Sequence, residues 1–165
     1  MGEGIFFGCK QCGYEFSIDF GCGFFNWLFL EMDTKTNKPF YHSLIESADV
    51  IAEVDRILET EENVREDNEA YDNPRARKHK GLAAYYCQSC KTVKNNYFFR
   101  LIFTGGSYEP VYFCEKCKSE LLLARYKMSD SDSGFRSAIS DKPLDVCCPR
   151  CGSDNIRECG YIDWD

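Results

Sequence analysis

Tyr14, Phe16, Ile18 and Phe20 alternate with Glu15, Ser17 and Asp19, and this period of two predicts a half-buried strand closing the segment Ile5 to Phe20. Gly21-Cys22-Gly23 breaks the alternation, and Phe24 to Leu30 is almost wholly apolar, as in a buried element or a surface that a partner covers. From about Pro39 to Glu62 the pattern becomes helical. Phe40, Leu44, Ile51, Val54 and Leu58 recur at spacings of three, four and seven, with Ser47 in the remaining slot of one stripe. Asn37 is placed to cap this helix with Pro39 in its first turn, and Ser43-Leu44-Ile45-Glu46 offers a capping box for a later start. Charge dominates Glu61 to Asp72, and Asn73-Pro74 ends any helix, so an exposed connection is expected there.

The second half reads as β-structure. Ala83 to Cys87 and Tyr97 to Phe103 are strand-like, and Thr104-Gly105-Gly106-Ser107 suits a hairpin turn before Tyr108 to Cys114 returns. Leu121 to Tyr126 is compatible with strand or helix, and Ser129 to Gly134 is a polar linker. Ile156, Gly160, Ile162 and Trp164 would share one face of a regular final strand. The expected fold class is α+β, with small antiparallel β hairpins and an acidic helical insertion. It divides into 1–30, the helical insertion 31–82, a hairpin region 83–128 and a C-terminal part 129–165, packed as one unit.

Charge sharpens this division. The net charge is −7, yet Glu31 to Asp72 alone holds 13 acidic and 4 basic residues, and the remainder is slightly basic. The longest uncharged stretch, Phe20 to Leu30, falls well short of the roughly 20 apolar residues of a membrane span. Met1-Gly2-Glu3-Gly4 has no secretory character, which makes a reducing cytoplasm the expected compartment.

Cysteine usage changes the picture most. Eight of the 11 cysteines form four Cys-x-x-Cys pairs: Cys9/Cys12, Cys87/Cys90, Cys114/Cys117 and Cys148/Cys151. In such a knuckle the two intervening residues turn the chain so that both sulfurs face one metal, and two knuckles complete a tetrahedron. Two Zn2+ per chain are expected, held by these eight residues. The position after the second cysteine calls for a left-handed conformation, which Gly13 and Gly152 adopt cheaply; Lys91 and Lys118 occupy it in the inner knuckles. Lys10, Lys94, Lys116 and Arg150 add further positive charge beside a cluster carrying about −2. Nested and sequential pairings of the knuckles are both compatible with the spacing, and residues 91–113 read as a hairpin that would bring the inner pair together.

Cys9-Lys10-Gln11-Cys12-Gly13-Tyr14 and Cys148-Pro149-Arg150-Cys151-Gly152 resemble the knuckles of rubredoxin, an iron electron carrier, although 135 residues (13 to 147) separate them here against a few tens there. The same motifs resemble the broader zinc-ribbon group of transcription factors, RNA polymerase subunits and ribosomal proteins. The start Met1 to Ile5, the Cys-x-x-Cys-Gly-Tyr that follows and the terminal Trp164-Asp165 are similar to uncharacterised bacterial zinc-ribbon proteins. The resemblance implies a zinc-ribbon fold and a metal, and it transfers no activity.

Cys22, Cys147 and Cys159 remain, read as small buried apolar residues; Cys147 also abuts a ligand and is positioned to substitute for it. Arg75, Arg77, Lys78 and Lys80, with aromatic residues downstream, form a candidate nucleic-acid contact. Only His42 and His79 are present, four-thiolate sites leave no open metal position, and no phosphate loop or nucleophile motif occurs. The chain is therefore expected not to be an enzyme but a zinc-ribbon (zinc-finger-like) module that binds a protein partner. The alternatives are nucleic-acid binding and rubredoxin-like electron transfer.

Overall fold

The computed structural model describes residues 2–21, 28–67, 80–124 and 145–164. Within them the chain is mostly antiparallel β-structure with two short helices, an α+β arrangement. No helix among the described residues is long and apolar enough to cross a membrane.

The chain opens with strand β1 (Gly2–Cys9), which turns through the first knuckle into β2 (Glu15–Gly21). Three glycines in β1 weaken its sequence signal. It forms because Ile5, Phe7 and Cys9 are buried on one face while Phe6 points outward and is 48% exposed. On β2, Ile18 is buried, opposite Ile5, whereas the outermost aromatic of the alternation, Tyr14, precedes the strand and is exposed. Residues 22–27 lie outside the described set; of the apolar run, Phe29 is fully buried.

A small hairpin of β3 (Met32–Asp33) and β4 (Lys38–Pro39) follows. Its turn corrects the expected role of Asn37, which is not a helix cap. Asn37 adopts a left-handed φ of 54° in a turn where Asp33 accepts from Lys35 N–H and Thr36 Oγ1–H. The predicted single helix is two helices, α1 (Tyr41–Leu44) and α2 (Ala48–Thr60), separated by extended chain at Ile45. Ser47 is not part of the apolar stripe: its hydroxyl caps α2 by accepting from Val50 N–H at 3.4 Å. The new start rotates the buried face to Val50, Val54 and Ile57, and Leu58 is 36% exposed.

Beyond α2, β5 (Arg65–Glu66) pairs with β8 (Leu101–Phe103), which turns at Thr104-Gly105 into β9 (Gly106–Tyr108). Between them run β6 (Gly81–Tyr86) and β7 (Val93–Phe98), joined across the second knuckle. The ambiguous Leu121 segment holds a strand, β10 (Leu122–Leu123), and the final strand is β11 (Ile156–Trp164). The main sheet has the order β10-β6-β2-β1-β11, with β7 also pairing to β6. The junction of its halves is narrow, with Gly21 opposite Leu82.

β6 has apolar partners on both faces. Tyr85 and Cys87 join a core with Phe29, Tyr41, Val54, Tyr97, Tyr112 and Leu121, whereas Ala84 and Tyr86 join a second core with Ile5, Phe7, Ile18, Val146 and Ile156. The expectation that Ile156 and Ile162 share a face fails at a β-bulge. Phe6 pairs with Gly160 and Phe7 with Glu158, so Cys159 is an extra residue. The bulge reverses the alternation, leaving Ile156 buried and Ile162 56% exposed.

Candidate metal centres

Each Cys-x-x-Cys pair sits in the same turn. Cys9 N–H donates to Tyr14 O and Gly13 N–H to Cys9 O; Cys87 to Thr92 with Lys91 to Cys87, Cys114 to Ser119 with Lys118 to Cys114, and Cys148 to Ser153 with Gly152 to Cys148 repeat that pattern, at 2.6–2.9 Å. The residue after the second cysteine is left-handed in all four, with φ of 69° at Gly13, 59° at Lys91, 60° at Lys118 and 74° at Gly152. At the first three knuckles the flanking chain enters in the same register as well. Gly8 faces Glu15, Tyr86 faces Val93 and Phe113 faces Glu120, each pair lying one residue before the first cysteine and three after the second.

The knuckles combine in the nested pairing. Cys9, Cys12, Cys148 and Cys151 form one group of sulfurs and Cys87, Cys90, Cys114 and Cys117 the other, all within 4.8 Å of one another in each group. The 91–113 segment does not join the inner knuckles as a single hairpin. β7 pairs back onto β6, the β8–β9 hairpin belongs to another sheet, and β10 brings the third knuckle to the second by pairing with β6. Likewise β11 brings the fourth knuckle to the first, with Ile156 opposite Cys9 and Lys10 N–H donating to Asn155 O.

Sulfur separations test whether a metal fits. Cys9–Cys151 is 3.6 Å, Cys12–Cys148 3.7 Å and Cys87–Cys117 3.5 Å. A tetrahedron with metal–sulfur bonds of about 2.3 Å has edges of about 3.8 Å, so each group has the dimensions of a closed four-thiolate site. The two sites also share one pattern of exposure: the first cysteine of each knuckle is buried, and the outermost, Cys117 or Cys151, is exposed.

Four thiolates so close cannot all ionise without a cation. Burial alone would raise Cys9, but backbone N–H groups of Cys12 and Gln11 and the neighbouring thiols outweigh it and bring it down to about 6. The Ser153 N–H favours the Cys151 thiolate, yet desolvation and contacts with Cys12, Cys9 and Cys148 push it up to about 12. In the other group the Ser119 hydroxyl and N–H lower Cys117 to about 6, while its sulfur neighbour Cys117, followed by burial and Cys114, lifts Cys90 to about 12. A divalent ion bound at each centre would supply the charge that lets all eight deprotonate.

The remaining predicted residues are not part of these centres. Lys80 is buried beneath the Phe29 ring and paired with Glu66, so it is withdrawn from any phosphate-facing patch; Arg75, Arg77 and Lys78 lie outside the described residues. Cys147 hydrogen-bonds with Tyr86 and belongs to neither sulfur group. Cys159 is exposed rather than buried, with its sulfur against Gly8, and Cys22 lies outside the described set. Sequence reading overlooked Ser89 and Ser119, whose hydroxyls meet across the second centre at 3.4 Å. Their positions at the knuckle turns were the available signal. Comparison with known protein families, characterised proteins and solved structures finds no match.

Proposed function

We propose that the chain is a non-enzymatic zinc-ribbon module that holds two structural Zn2+ ions and presents an acidic helix to a protein partner. The observation carrying the metal half is the pair of closed four-sulfur groups with tetrahedral edge lengths. Zinc suits a site with four thiolates, no vacant position and no redox demand. Each ion would fasten two hairpins whose strands are otherwise short, as metals do in small β domains.

The partner half rests on α2. Val50, Val54 and Ile57 turn inward, while Asp49 and Glu59, with Glu46 and Glu62 just outside the helix, are exposed. Arg56 is also exposed on α2 but is paired with Glu53, which leaves a net negative face; exposed charges of this kind contribute little to folding but steer association with a basic partner.

Metal analysis with a visible spectrum tests the first half: two zinc ions per chain and a colourless protein are expected, and red ferric tetrathiolate would favour the rubredoxin-like alternative. For the second, reversing Glu46, Asp49 and Glu59 to lysine should preserve zinc content and folding while abolishing co-purification of a partner from the native host. Retention of the same partner would reduce the helix to a solvated face.

A further inference from the structure

The geometry points to two metal centres of unequal retention, in which the Cys9/Cys12/Cys148/Cys151 centre opens and loses its ion first, making the fourth knuckle a metal-dependent clasp. This rests on the reading of both groups as zinc sites. The centres share donors, turn geometry and exposure pattern; they differ in the residue at the left-handed position, lysine in one and glycine in the other, and in what holds the closing knuckle in place.

Corresponding positions show that difference. Two residues before the third knuckle's first cysteine stands Tyr112, whose ring meets Tyr85 edge-on at 4.9 Å and whose hydroxyl donates to Tyr97 O at 2.6 Å in a buried bond. Its counterpart before the fourth knuckle is Val146, which is buried in the smaller core and has no side-chain group that could hydrogen-bond. Ser119 reaches across its centre to Ser89, tying third knuckle to second. The counterpart Ser153 instead accepts from Asn155 N–H within its own turn at 3.1 Å, and Gln11 stands where Ser89 would be.

Local opening follows the path that breaks the fewest buried contacts. Among the described residues, swinging the fourth knuckle out uncovers Val146 and Cys148 and breaks the contact of Cys147 with Tyr86 and the bond from Lys10 N–H to Asn155 O, while β11 can stay on β1; moving the third uncovers Cys114, pulls Tyr112 and Leu121 from the larger core and breaks the buried Tyr112 bond to Tyr97 O. On opening, Zn2+ passes to a competing chelator and the four thiolates take protons from water.

The test begins with the full chain loaded with two zinc ions and a chelator added in excess. One ion should leave roughly tenfold faster or more than the other. At the point of half release, amide exchange should rise in residues 9–14 and 145–155 and stay slow in 86–92 and 109–121. Loss of both ions at one rate, or early exchange in the third knuckle, would overturn the proposal. Tyr112→Val, which gives the third knuckle its counterpart's residue, should bring the two rates together; if it leaves the gap unchanged, the tether is not the cause. A chain that takes up no zinc at all would instead overturn the metal reading beneath it.

Discussion

Asn95 on β7 grips the main chain of Asp19 on β2 from both sides: the Asp19 N–H donates to Asn95 Oδ1 at 3.2 Å, and Asn95 Nδ2 donates to Asp19 O at 2.7 Å. One side-chain amide thus substitutes for a neighbouring strand just where the two halves of the main sheet meet at Gly21 and Leu82. Asn95→Ala should cost about 1–3 kcal/mol, because a partly buried donor and acceptor are both left unpaired. Denaturant unfolding of the zinc-loaded protein would measure it, with metal content expected to stay at the wild-type level.

The four left-handed positions separate backbone strain from packing. A Cβ at Gly13 or Gly152 would meet nothing within 4 Å, so Gly13→Ala and Gly152→Ala should each lose about 1 kcal/mol through φ alone. The reverse change, Lys118→Gly, should gain a similar amount. Lys91→Gly should gain less, since the Lys91 ammonium lies 5.8 Å above the Tyr86 ring. Thermal unfolding of the four variants gives the order, and equal gains at Lys91 and Lys118 would remove the ring contact from the account.

Gly8 is required for a different reason. A Cβ there would stand 2.7 Å from Cys159 Sγ, so Gly8→Ala should destabilise by about 1–3 kcal/mol by overpacking. Adding Cys159→Ala should recover most of the loss, and a double-mutant cycle in chemical denaturation reads the coupling.

The Lys80–Glu66 pair is nearly sealed, with side chains 9% and 11% exposed. Removing one partner, as in Lys80→Met, should cost about 3–5 kcal/mol, and the double change to methionine and leucine should be much milder. Burial raises the Glu66 carboxyl above its ordinary range, against the opposing pull of Lys80. The folded state then binds the proton more tightly than the unfolded chain. Its stabilising contribution is complete below the unfolded carboxyl value and is lost as pH rises through the folded one. Unfolding free energies across that window should show this slope in the wild type and lose it in Glu66→Gln.

What could be read from the chain was what short-range chemistry decides. A knuckle is closed by its own backbone, so Lys91 and Lys118 could be assigned left-handed φ from their place after the second cysteine. The helix face was misjudged because Ser47 suits both a stripe and a cap, and no proline or glycine marks the break before it. Knuckle pairing was out of reach for another reason: it is set by β10 on β6 and β11 on β1, contacts between residues far apart in the chain. Lys80 looked like part of a basic run because sequence shows neither Glu66 beneath it nor the Phe29 ring.

The extra residue in β11 also bears on how this chain behaves in company. Among the described residues β1 lines one side of β11, and no described strand lines the other. A long uncovered edge ordinarily invites a foreign strand to extend the sheet. Here the groups that would offer such bonds change phase at Cys159, so a regular intruding strand can match the stretch before it or the stretch after it, but not both. The irregularity that spoils the sequence pattern thus also interrupts the regular row of bonding groups that this edge, among the described residues, would offer to a strand of a second molecule.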